Sequence, residues 1–309
     1  MQATTVMDIL ASLRKPEYVF RPLQIVRRLS RAFGKVPEAA DVRLPWGLDL
    51  RVNPAETIGS CVWRVGIYDL CVSESLWRLL EPGETALDIG ANIGHMTGLM
   101  ARRLGRHGKV MAFEPHPEIF KELQGNVSRW QQCCTLPVVE LVRAGVSSKS
   151  GQGVLHVPLE FNTNHGLASL SQPGMGDFLD CEVPLVTLDD LPGIAKIGAM
   201  KLDVEGHELD VLKGAQQMIT KKAIRDIIFE EHAATPTPVT DYLEAYGYAV
   251  FHLDVTTLRP QIVPIRMNRK EGRRDAPNLL ATLDPKRAES LLSKIGWQVL
   301  RNRPATIAA

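Results

Sequence analysis

The sequence predicts an α/β fold in which a mostly parallel, doubly wound sheet carries helices on both faces. Two observations predict it: short apolar runs alternate with helical patterns from residue 84 onward, and a glycine-punctuated turn follows the first run. A third observation concerns function. Acids stand at the ends of four predicted strands, at Asp88, Glu114, Asp203 and Glu230. Because ligands of such sheets bind beyond the carboxyl ends of the strands, these acids point to a binding site there.

The predicted elements alternate along the chain as a doubly wound sheet requires. In order they are strand 85–89, helix 94–104, strand 109–113, helix 117–129, a strand around 138–146, strand 197–202, helix 207–219, strand 225–230, helix 238–246, a strand around 248–253, a strand at 278–282 and a helix at 289–299. A helix at 73–80 precedes them. Segments 153–158 and 181–186 are predicted to be extra strands that flank a polar loop.

Three parts are predicted along the chain. Residues 1–57 form a helical and hairpin extension, residues 58–284 the ligand-binding domain, and residues 285–309 a C-terminal helix and tail. The extension contains helical patterns over 6–33 and a predicted hairpin at 42–52. Its basic amphipathic run could lie on a membrane surface, dock on a partner subunit or pack on its own domain. A homodimer through these helices is one expectation.

Composition excludes several classes of function. The chain has 309 residues and a formal net charge of +1, so its overall charge does not favour binding to nucleic acid or to an anionic membrane. Its five cysteines are an odd number without the spacing of a metal site, which favours free thiols in a reducing compartment. No apolar run approaches the roughly 20 residues that span a bilayer, and no signal-peptide core begins the chain. We therefore expect a cytoplasmic protein.

The glycine turn, residues 90–94, indicates what the domain binds. Its glycines would let a ligand approach the backbone closely. The spacing Gly90-x-Asn92-x-Gly94 lacks the middle glycine of a nicotinamide fingerprint, and Asp88 would repel a pyrophosphate. An acid there suits an ammonium group instead, and Glu114 can accept hydrogen bonds from ribose hydroxyls. An ammonium and a ribose together describe S-adenosyl-L-methionine.

Three motifs bring a resemblance to a known family. They are Leu-Asp-Ile-Gly-Ala-Asn-Ile-Gly at 87–94, Phe-Glu-Pro at 113–115 and Lys-Leu-Asp-Val-Glu-Gly-His-Glu at 201–208. Together they closely resemble the FkbM-type methyltransferases over roughly residues 58–253. The resemblance implies a Rossmann-like class I methyltransferase fold, dependence on S-adenosylmethionine, and action mostly on hydroxyl oxygens of natural products and glycans.

The resemblance and the strand positions imply a set of cofactor contacts: Tyr68, Asp88, Gly90, Asn92, Gly94, Glu114, His116 and Asp203. In the family, an element similar to Tyr68-Asp69 lies near the cofactor. Asp69 could equally be a helix-capping or turn acid. Asn126 matches a family position, although a structural role suits it better.

Transfer to an alcohol needs a base, because the hydroxyl is a poor nucleophile until its proton leaves. We expect the catalytic residues to be Asp203, Glu230 and His232, chosen from the acids and histidines at the fourth and fifth strand ends. The further candidates in that region are Glu205, His207 and Glu231. Glu205 could instead cap the helix that follows, and the carboxylates could ligate a divalent cation, although nothing in the sequence demands a metal.

The polar loop between the extra strands is predicted to form a lid over the acceptor. Its residues Asn162, Asn164, His165, Gly166 and Ser169 resemble the family's variable asparagine-glycine-serine region, and His165 is a second candidate base. A basic loop around 266–274 is either solvated surface or a contact for an anionic substrate.

The predicted function is O-methylation of a small-molecule or glycan acceptor. Two alternatives stay open: N-methylation of an amine on the same scaffold, and a nucleotide-binding or scaffold protein that does not turn over. A nicotinamide oxidoreductase is disfavoured by the missing glycine.

Overall fold

The computed structural model of the chain describes residues 15–21, 35–158, 168–171, 177–267 and 278–301. The helices of these residues are Pro16–Val19 (α1), Thr57–Val65 (α2), Leu70–Leu79 (α3), His95–Leu104 (α4), Pro117–Cys133 (α5), Glu208–Lys213 (α6), Gln216–Thr220 (α7), Pro238–Ala245 (α8), Pro285–Leu292 (α9) and a 3-10 helix at Gln298–Leu300. The strands are Ala40–Arg43 (β1), Asp49–Val52 (β2), Thr85–Ile89 (β3), Lys109–Phe113 (β4), Val138–Val142 (β5), Gly145–Val146 (β6), Gly151–Pro158 (β7), Phe178–Val186 (β8), Ile197–Leu202 (β9), Ile224–Glu230 (β10), Ala249–Val255 (β11), Pro260–Pro264 (β12) and Asn278–Thr282 (β13).

The central sheet has, within the described residues, eight strands in the order β12-β11-β13-β10-β9-β3-β4-β5. Five neighbouring strands, from β10 to β5, run parallel, whereas β13 is antiparallel to both of its neighbours. The prediction of a mostly parallel α/β sheet is therefore confirmed. After β3 the chain continues to β4 and β5 on one side of β3, and it later returns to β9 on the other side. The crevice between the ends of β3 and β9 is therefore where a ligand should bind.

Burial explains why these runs form the inner strands. Every residue of β9 is buried, and β3 and β4 are buried at all but their first positions. Strands covered on both faces tolerate continuous apolar sequence, which is the pattern that predicted them. Lys201, in β9, breaks that pattern and has to find polar partners inside the protein.

The N-terminal hairpin is also confirmed. β1 and β2 pair antiparallel, and the turn between them closes through Leu44 and Leu48. Trp130 of α5 donates its indole N–H to the carbonyl of Asp49 at 2.6 Å. Buried Asn126 joins the hairpin to the glycine turn, because its amide donates to the carbonyl of Ile93 at 2.8 Å. Asn126 therefore has the structural role that suited it better.

The helices expected over 6–33 lie largely outside the described residues.

Three predicted elements before the C-terminal segment differ clearly from the structure in their limits. The single strand at 138–146 is wrong, because the chain leaves the central sheet after β5 and β6 pairs with β8 in a separate three-stranded sheet. The single helix at 207–219 is divided into α6 and α7. The division falls at Gly214, where a side chain would meet the carbonyl of Ser147 at 2.0 Å. The helix predicted at 73–80 begins at Leu70 instead, because Asp69 caps it.

The C-terminal segment differs as well. The helix predicted at 289–299 starts at Pro285 and ends at Leu292. Beyond it, the buried Arg78 donates to the carbonyls of Leu291 and Lys294 at 2.9 and 2.7 Å, and Trp297 is fully buried. These contacts tie residues 285–300 to α3.

No helix within the described ranges is long and apolar enough to cross a membrane.

Candidate active site

A cleft opens at the carboxyl ends of the parallel strands, at the crossover point between β3 and β9. It holds about 1240 Å³ of space, counting the part that is open to solvent. Residues that carry charged or polar side chains contribute to its walls. They are Tyr68, Asp69, Asn92, His95, Glu114, Lys201, Asp203, Glu205, Glu230 and Asn278. The remaining walls are largely apolar, which is typical of a small-molecule site.

The glycine turn forms one wall of the cleft. Gly90, Asn92 and Gly94 all have positive φ angles, of 77°, 49° and 95°. A side chain at position 90 would meet the carbonyl of Asp203 at 1.9 Å, so only glycine fits between the ends of β3 and β9. The turn therefore exposes backbone rather than side chains, and Gly94 begins α4 as its N-cap.

Glu114, which follows β4, is fixed by two backbone groups. Its Oε2 accepts the N–H of Asn92 and its Oε1 accepts the N–H of His116, both at 2.9 Å. Burial raises the pKa of Glu114 to about 7, against the effect of these two hydrogen bonds. Each carboxylate oxygen keeps a further lone pair that could accept a hydrogen bond from a hydroxyl group.

A buried lysine links the glycine turn to β9. Lys201 donates to the carbonyl of Gly90 at 2.8 Å, and its Nζ lies 3.1 Å from Asp203 Oδ2 and 3.7 Å from Asp88 Oδ1. Burial alone would lower the pKa of Lys201, but the two carboxylates outweigh it and raise the pKa. Asp88 is completely buried, accepts a hydrogen bond from Thr97 at 2.5 Å and lies behind the turn rather than in the cleft wall.

The opposite wall is built from the segment before α3. Asp69 Oδ1 accepts the N–H of Val72 at 3.0 Å, and its Oδ2 accepts the side-chain amide of Asn278 at 2.8 Å. Asp69 therefore caps a helix and also lines the cleft. The N–H of Tyr68 donates to Nε2 of His95 at 3.2 Å, and burial lowers the pKa of that histidine to about 3.

Three carboxylates gather where the cleft meets the ends of β9 and β10. One oxygen from each of Asp203, Glu205 and Glu230 lies within 4.8 Å of the others. Burial, followed by the charges of Asp203 and Glu230, raises the pKa of Glu205 to about 7. Burial also raises the pKa of Glu230. Such a set can accept a proton near neutral pH, and its oxygens are also of the type that binds a divalent cation.

The acid turn, residues 203–207, is held from outside by two serines that follow β7. Ser169 Oγ donates to the carbonyl of Glu205 at 2.6 Å, and Ser171 Oγ donates to the carbonyl of Gly206 at 2.8 Å. Glu205 has a positive φ of 51°, an uncommon conformation for a residue with a side chain. We call Ser169 and Ser171 the serine clamp. Glu205 caps no helix, since His207 occupies the N-cap position of α6.

The structure brings together most of the predicted site residues. The cleft is lined by Tyr68, Gly90, Asn92, Glu114, Asp203 and Glu230. Asp88 and Gly94 support the turn from behind. His116 does not line the cleft, and its side chain instead accepts the N–H of Ile119 at the start of α5. His232 is 68% exposed, and its Nε2 lies 3.5 Å from Glu230 Oε1. The residues Asn162, Asn164, His165 and Gly166, with most of the basic loop, lie outside the described residues.

Sequence reasoning missed Lys201 and Asn278 as site residues. The signal for Lys201 was present, because a lysine inside an otherwise apolar strand requires a buried partner. Asn278 gave none, since its contact with Asp69 joins residues that lie 209 positions apart.

These residues fit the expected cofactor, S-adenosylmethionine. Gly90 lines the cleft without a side chain, so a ligand there can contact its backbone directly. Glu114 offers a fixed carboxylate suited to a ribose diol. The remaining charged wall residues are acids apart from Lys201, which suits a ligand with cationic groups better than a pyrophosphate.

Comparison with known proteins identifies a family. The model of the methyltransferase FkbM domain matches residues 88–250 of the chain. This range runs from Asp88 in the strand before the glycine turn to Val250 in β11, and includes the acid turn.

Three relatives are informative. The chain is 27% identical over 269 residues to the AMB antimetabolite synthetase AmbE of Pseudomonas aeruginosa, a match that covers 74% of this chain and 12% of the synthetase. It is 31% identical to the hexuronic acid methyltransferase AglP of Haloferax volcanii, covering 59% of this chain and 71% of that protein. It is 28% identical to the 31-O-demethyl-FK506 methyltransferase FkbM of Streptomyces tacrolimicus, covering 55% of this chain and 75% of that one.

A solved structure also aligns with the chain. The crystal structure of methyltransferase FkbM from Methylobacillus flagellatus aligns with a TM-score of 0.42 and 16% identity, over 78% of this chain and 48% of that one.

Proposed function

The chain belongs to the FkbM methyltransferase family, and from that premise we propose that it methylates a hydroxyl oxygen of a sugar or secondary metabolite. Its cofactor is S-adenosylmethionine, which carries the methyl group on a positively charged sulfur. When the methyl group is transferred, the sulfur leaves as a neutral thioether. The observation that carries the proposal is the cluster of Asp203, Glu205 and Glu230 at the cleft. An alcohol needs a proton acceptor, whereas a neutral amine does not.

The two halves of the cleft are proposed to hold different molecules. Glu114 would accept the ribose hydroxyls, and the backbone of Gly90 and Asn92 would face the amino-acid part together with Asp203. Tyr68 would close this side from the opposite wall. Asp88 is proposed to act indirectly, because its buried carboxylate fixes Lys201, which in turn donates to the carbonyl of Gly90.

Glu205 is the strongest candidate for the proton acceptor. Its pKa of about 7 lets a large fraction be ionised near neutral pH while it still binds a proton well. Asp203 is already engaged by Lys201, whose Nζ lies 3.1 Å from its Oδ2. We propose that Asp203 and Glu230 orient the acceptor hydroxyl. His232, expected from the sequence to be catalytic, would act through its contact with Glu230, 3.5 Å away.

The serine clamp supports Glu205 in this role. A general base has to lie within hydrogen-bond reach of the proton that it removes, so its backbone must be fixed. Ser169 and Ser171 donate to the consecutive carbonyls of Glu205 and Gly206. They belong to the segment between β7 and β8, in which the sequence predicted a lid. We propose that this segment positions the base as well as covering the acceptor.

Charge favours an uncharged acceptor. Among the described residues that line the cleft, Lys201 is the only lysine or arginine, and it is already paired with Asp203 and Asp88. A carboxylate or phosphate on the acceptor would meet the acids of this wall, and the described wall residues offer it no free cation. The similarity to the 31-O-demethyl-FK506 methyltransferase of Streptomyces tacrolimicus supports the direction to oxygen. We therefore propose a neutral polyol or alcohol rather than a uronate.

N-methylation is the rival within the same family, because the acids could also bind a protonated amine. Labelled S-adenosylmethionine offered with a panel of matched sugars and alcohols separates the two. Each acceptor is supplied in hydroxyl, amine and carboxylate forms, and the methylated atom is identified by mass spectrometry and NMR. We expect label on oxygen of the neutral form. Label on nitrogen alone would contradict the proposal, and failure to bind the cofactor would support a scaffold role.

A further inference from the structure

Two adjacent cysteines stand in contact at the end of α5, outside the cleft. The Sγ atoms of Cys133 and Cys134 are 3.2 Å apart, and the side chain of Cys133 is exposed while that of Cys134 is partly buried. Neither belongs to the methylation machinery described above. An exposed thiol with a second thiol in contact is the arrangement in which oxidation ends in a disulfide.

We propose that Cys133 and Cys134 form a reversible disulfide, and that its formation weakens cofactor binding. The oxidant is a hydroperoxide. The exposed Cys133 sulfur, as thiolate, attacks the peroxide, so that a sulfur–oxygen bond forms, the oxygen–oxygen bond breaks and an alcohol or water leaves. The Cys134 sulfur then attacks the sulfenic sulfur of Cys133, the sulfur–oxygen bond breaks and water leaves. The two thiols together lose two electrons and two protons to one hydroperoxide.

The geometry makes this bond labile. Adjacent Cα atoms are about 3.8 Å apart, which is below the usual separation of roughly 4.4–6.8 Å in disulfides. A bond formed between neighbours is therefore strained, and strained disulfides are readily reduced. Burial raises the pKa of the Cys134 thiol, and the exposed Cys133 is the thiol that a peroxide reaches first. The pair can thus be oxidised by peroxide and restored by ordinary thiols.

Trp130 connects the pair to the glycine turn. Its carbonyl accepts the N–H of Cys134 at 2.9 Å and the thiol of Cys133 at 3.6 Å. Its ring packs so tightly on α4 that a side chain at Gly94 or Gly98 would lie 3.3 or 2.9 Å from it. Disulfide formation removes the Cys133 thiol that donates to the Trp130 carbonyl, and it pulls on the last turn of α5. The Trp130 side chain, which supports the turn at which S-adenosylmethionine binds, is thereby displaced.

The test oxidises the whole protein with equimolar hydrogen peroxide and measures its intact mass and its affinity for S-adenosylmethionine by calorimetry. We expect the loss of two hydrogens, a peptide map that places the link between residues 133 and 134, and full reversal by dithiothreitol. Affinity should fall about fivefold, the lower end of usual coupling between sites. Reduced wild-type protein, measured first, establishes that the cofactor binds.

Variants keep the outcome decisive. Cys133→Ser and Cys134→Ser should neither lose two hydrogens nor change affinity with peroxide, whereas Cys181→Ser, which removes a thiol on β8, should behave as the wild type. A gain of oxygen without the link, or a link between two molecules, would overturn the proposed site. An internal link that leaves the affinity unchanged would overturn the coupling to the glycine turn.

Discussion

The two halves of the cleft are assembled in different ways. On the side proposed for the cofactor, Glu114 is fixed by the N–H groups of Asn92 and His116, residues 22 and 2 positions away in the chain. On the side proposed for the acceptor, the acid turn is held by the serine clamp, across 36 and 35 positions. Glu114 and the glycine turn belong to one strand–turn–helix–strand unit, whereas the acid turn needs a separate segment to fold against it.

This difference suggests that the two halves can be changed independently. Damage to Glu205 or to the serine clamp should slow methyl transfer without affecting cofactor binding, and damage at Glu114 should do the reverse. Lys201 is the exception, because it contacts Gly90 on one side and Asp203 on the other. The substitutions below are ordered from the largest expected effect to the smallest.

Glu205→Gln should have the largest effect. Loss of a general base typically costs about 10²–10⁴-fold in rate, and we expect kcat to fall by that amount. In the wild type, kcat should rise with pH through about 7, because only the ionised carboxylate accepts a proton. The variant should lose this rise. Glu231→Gln is the matched control, since Glu231 is close in sequence but absent from the cleft wall. A pH profile that Glu205→Gln leaves intact would exclude Glu205 as the base.

Lys201→Met should damage both halves at once. It leaves the completely buried Asp88 without its cation, and removing one partner of a buried ion pair typically costs about 3–5 kcal/mol of stability. Urea unfolding measures the loss. Lys109→Met is the control, because its ion pair with Glu140 is partly exposed and should contribute about 1 kcal/mol or less. Equal stability of the two variants would contradict the linking role of Lys201.

Ser171→Ala should have a smaller effect that is confined to the acceptor half. One hydrogen bond contributes about 1 kcal/mol, so we expect kcat to fall about fivefold with cofactor affinity unchanged. The rise of kcat near pH 7 should also shift as Glu205 becomes less fixed. Ser150→Ala, at the other end of the inserted strands, removes a hydrogen bond to Asp190 and serves as the control. Identical kinetics for Ser171→Ala and the wild type would show that the clamp does not position the base.

Removal of divalent cations should have no effect. Lys201 already neutralises Asp203 at 3.1 Å, so the three carboxylates need no metal ion to coexist. We expect turnover after dialysis against EDTA to equal that before it, and added Mg²⁺ to change nothing. Activity that is lost with EDTA and restored by Mg²⁺ would instead make the acid cluster a metal site that binds the acceptor.

Sequence reasoning reached the cofactor half more fully than the acceptor half. Alternation of apolar runs located the parallel strands, and the spacing of Gly90 and Gly94 located the turn because both act within one local unit. It could not assign the limits of α6 and α7, since Gly214, where the helix divides, lies against the backbone of Ser147, far away in the chain. It also could not choose among the acids, because the pKa of Glu205 depends on neighbours that only folding brings together.

The separation of the two halves is tested most directly by calorimetry with S-adenosylmethionine on the wild type, Glu114→Gln and Glu205→Gln. Glu114→Gln removes an acceptor that faces either the cofactor or a backbone N–H of the turn, so affinity should fall about tenfold or more. Glu118→Gln, an exposed acid paired with Lys121, is its control and should bind as the wild type does. Glu205→Gln should bind within about twofold of the wild type, because its carboxylate serves the acceptor. Absence of binding by the wild type, or equal losses at Glu114 and Glu205, would contradict this account.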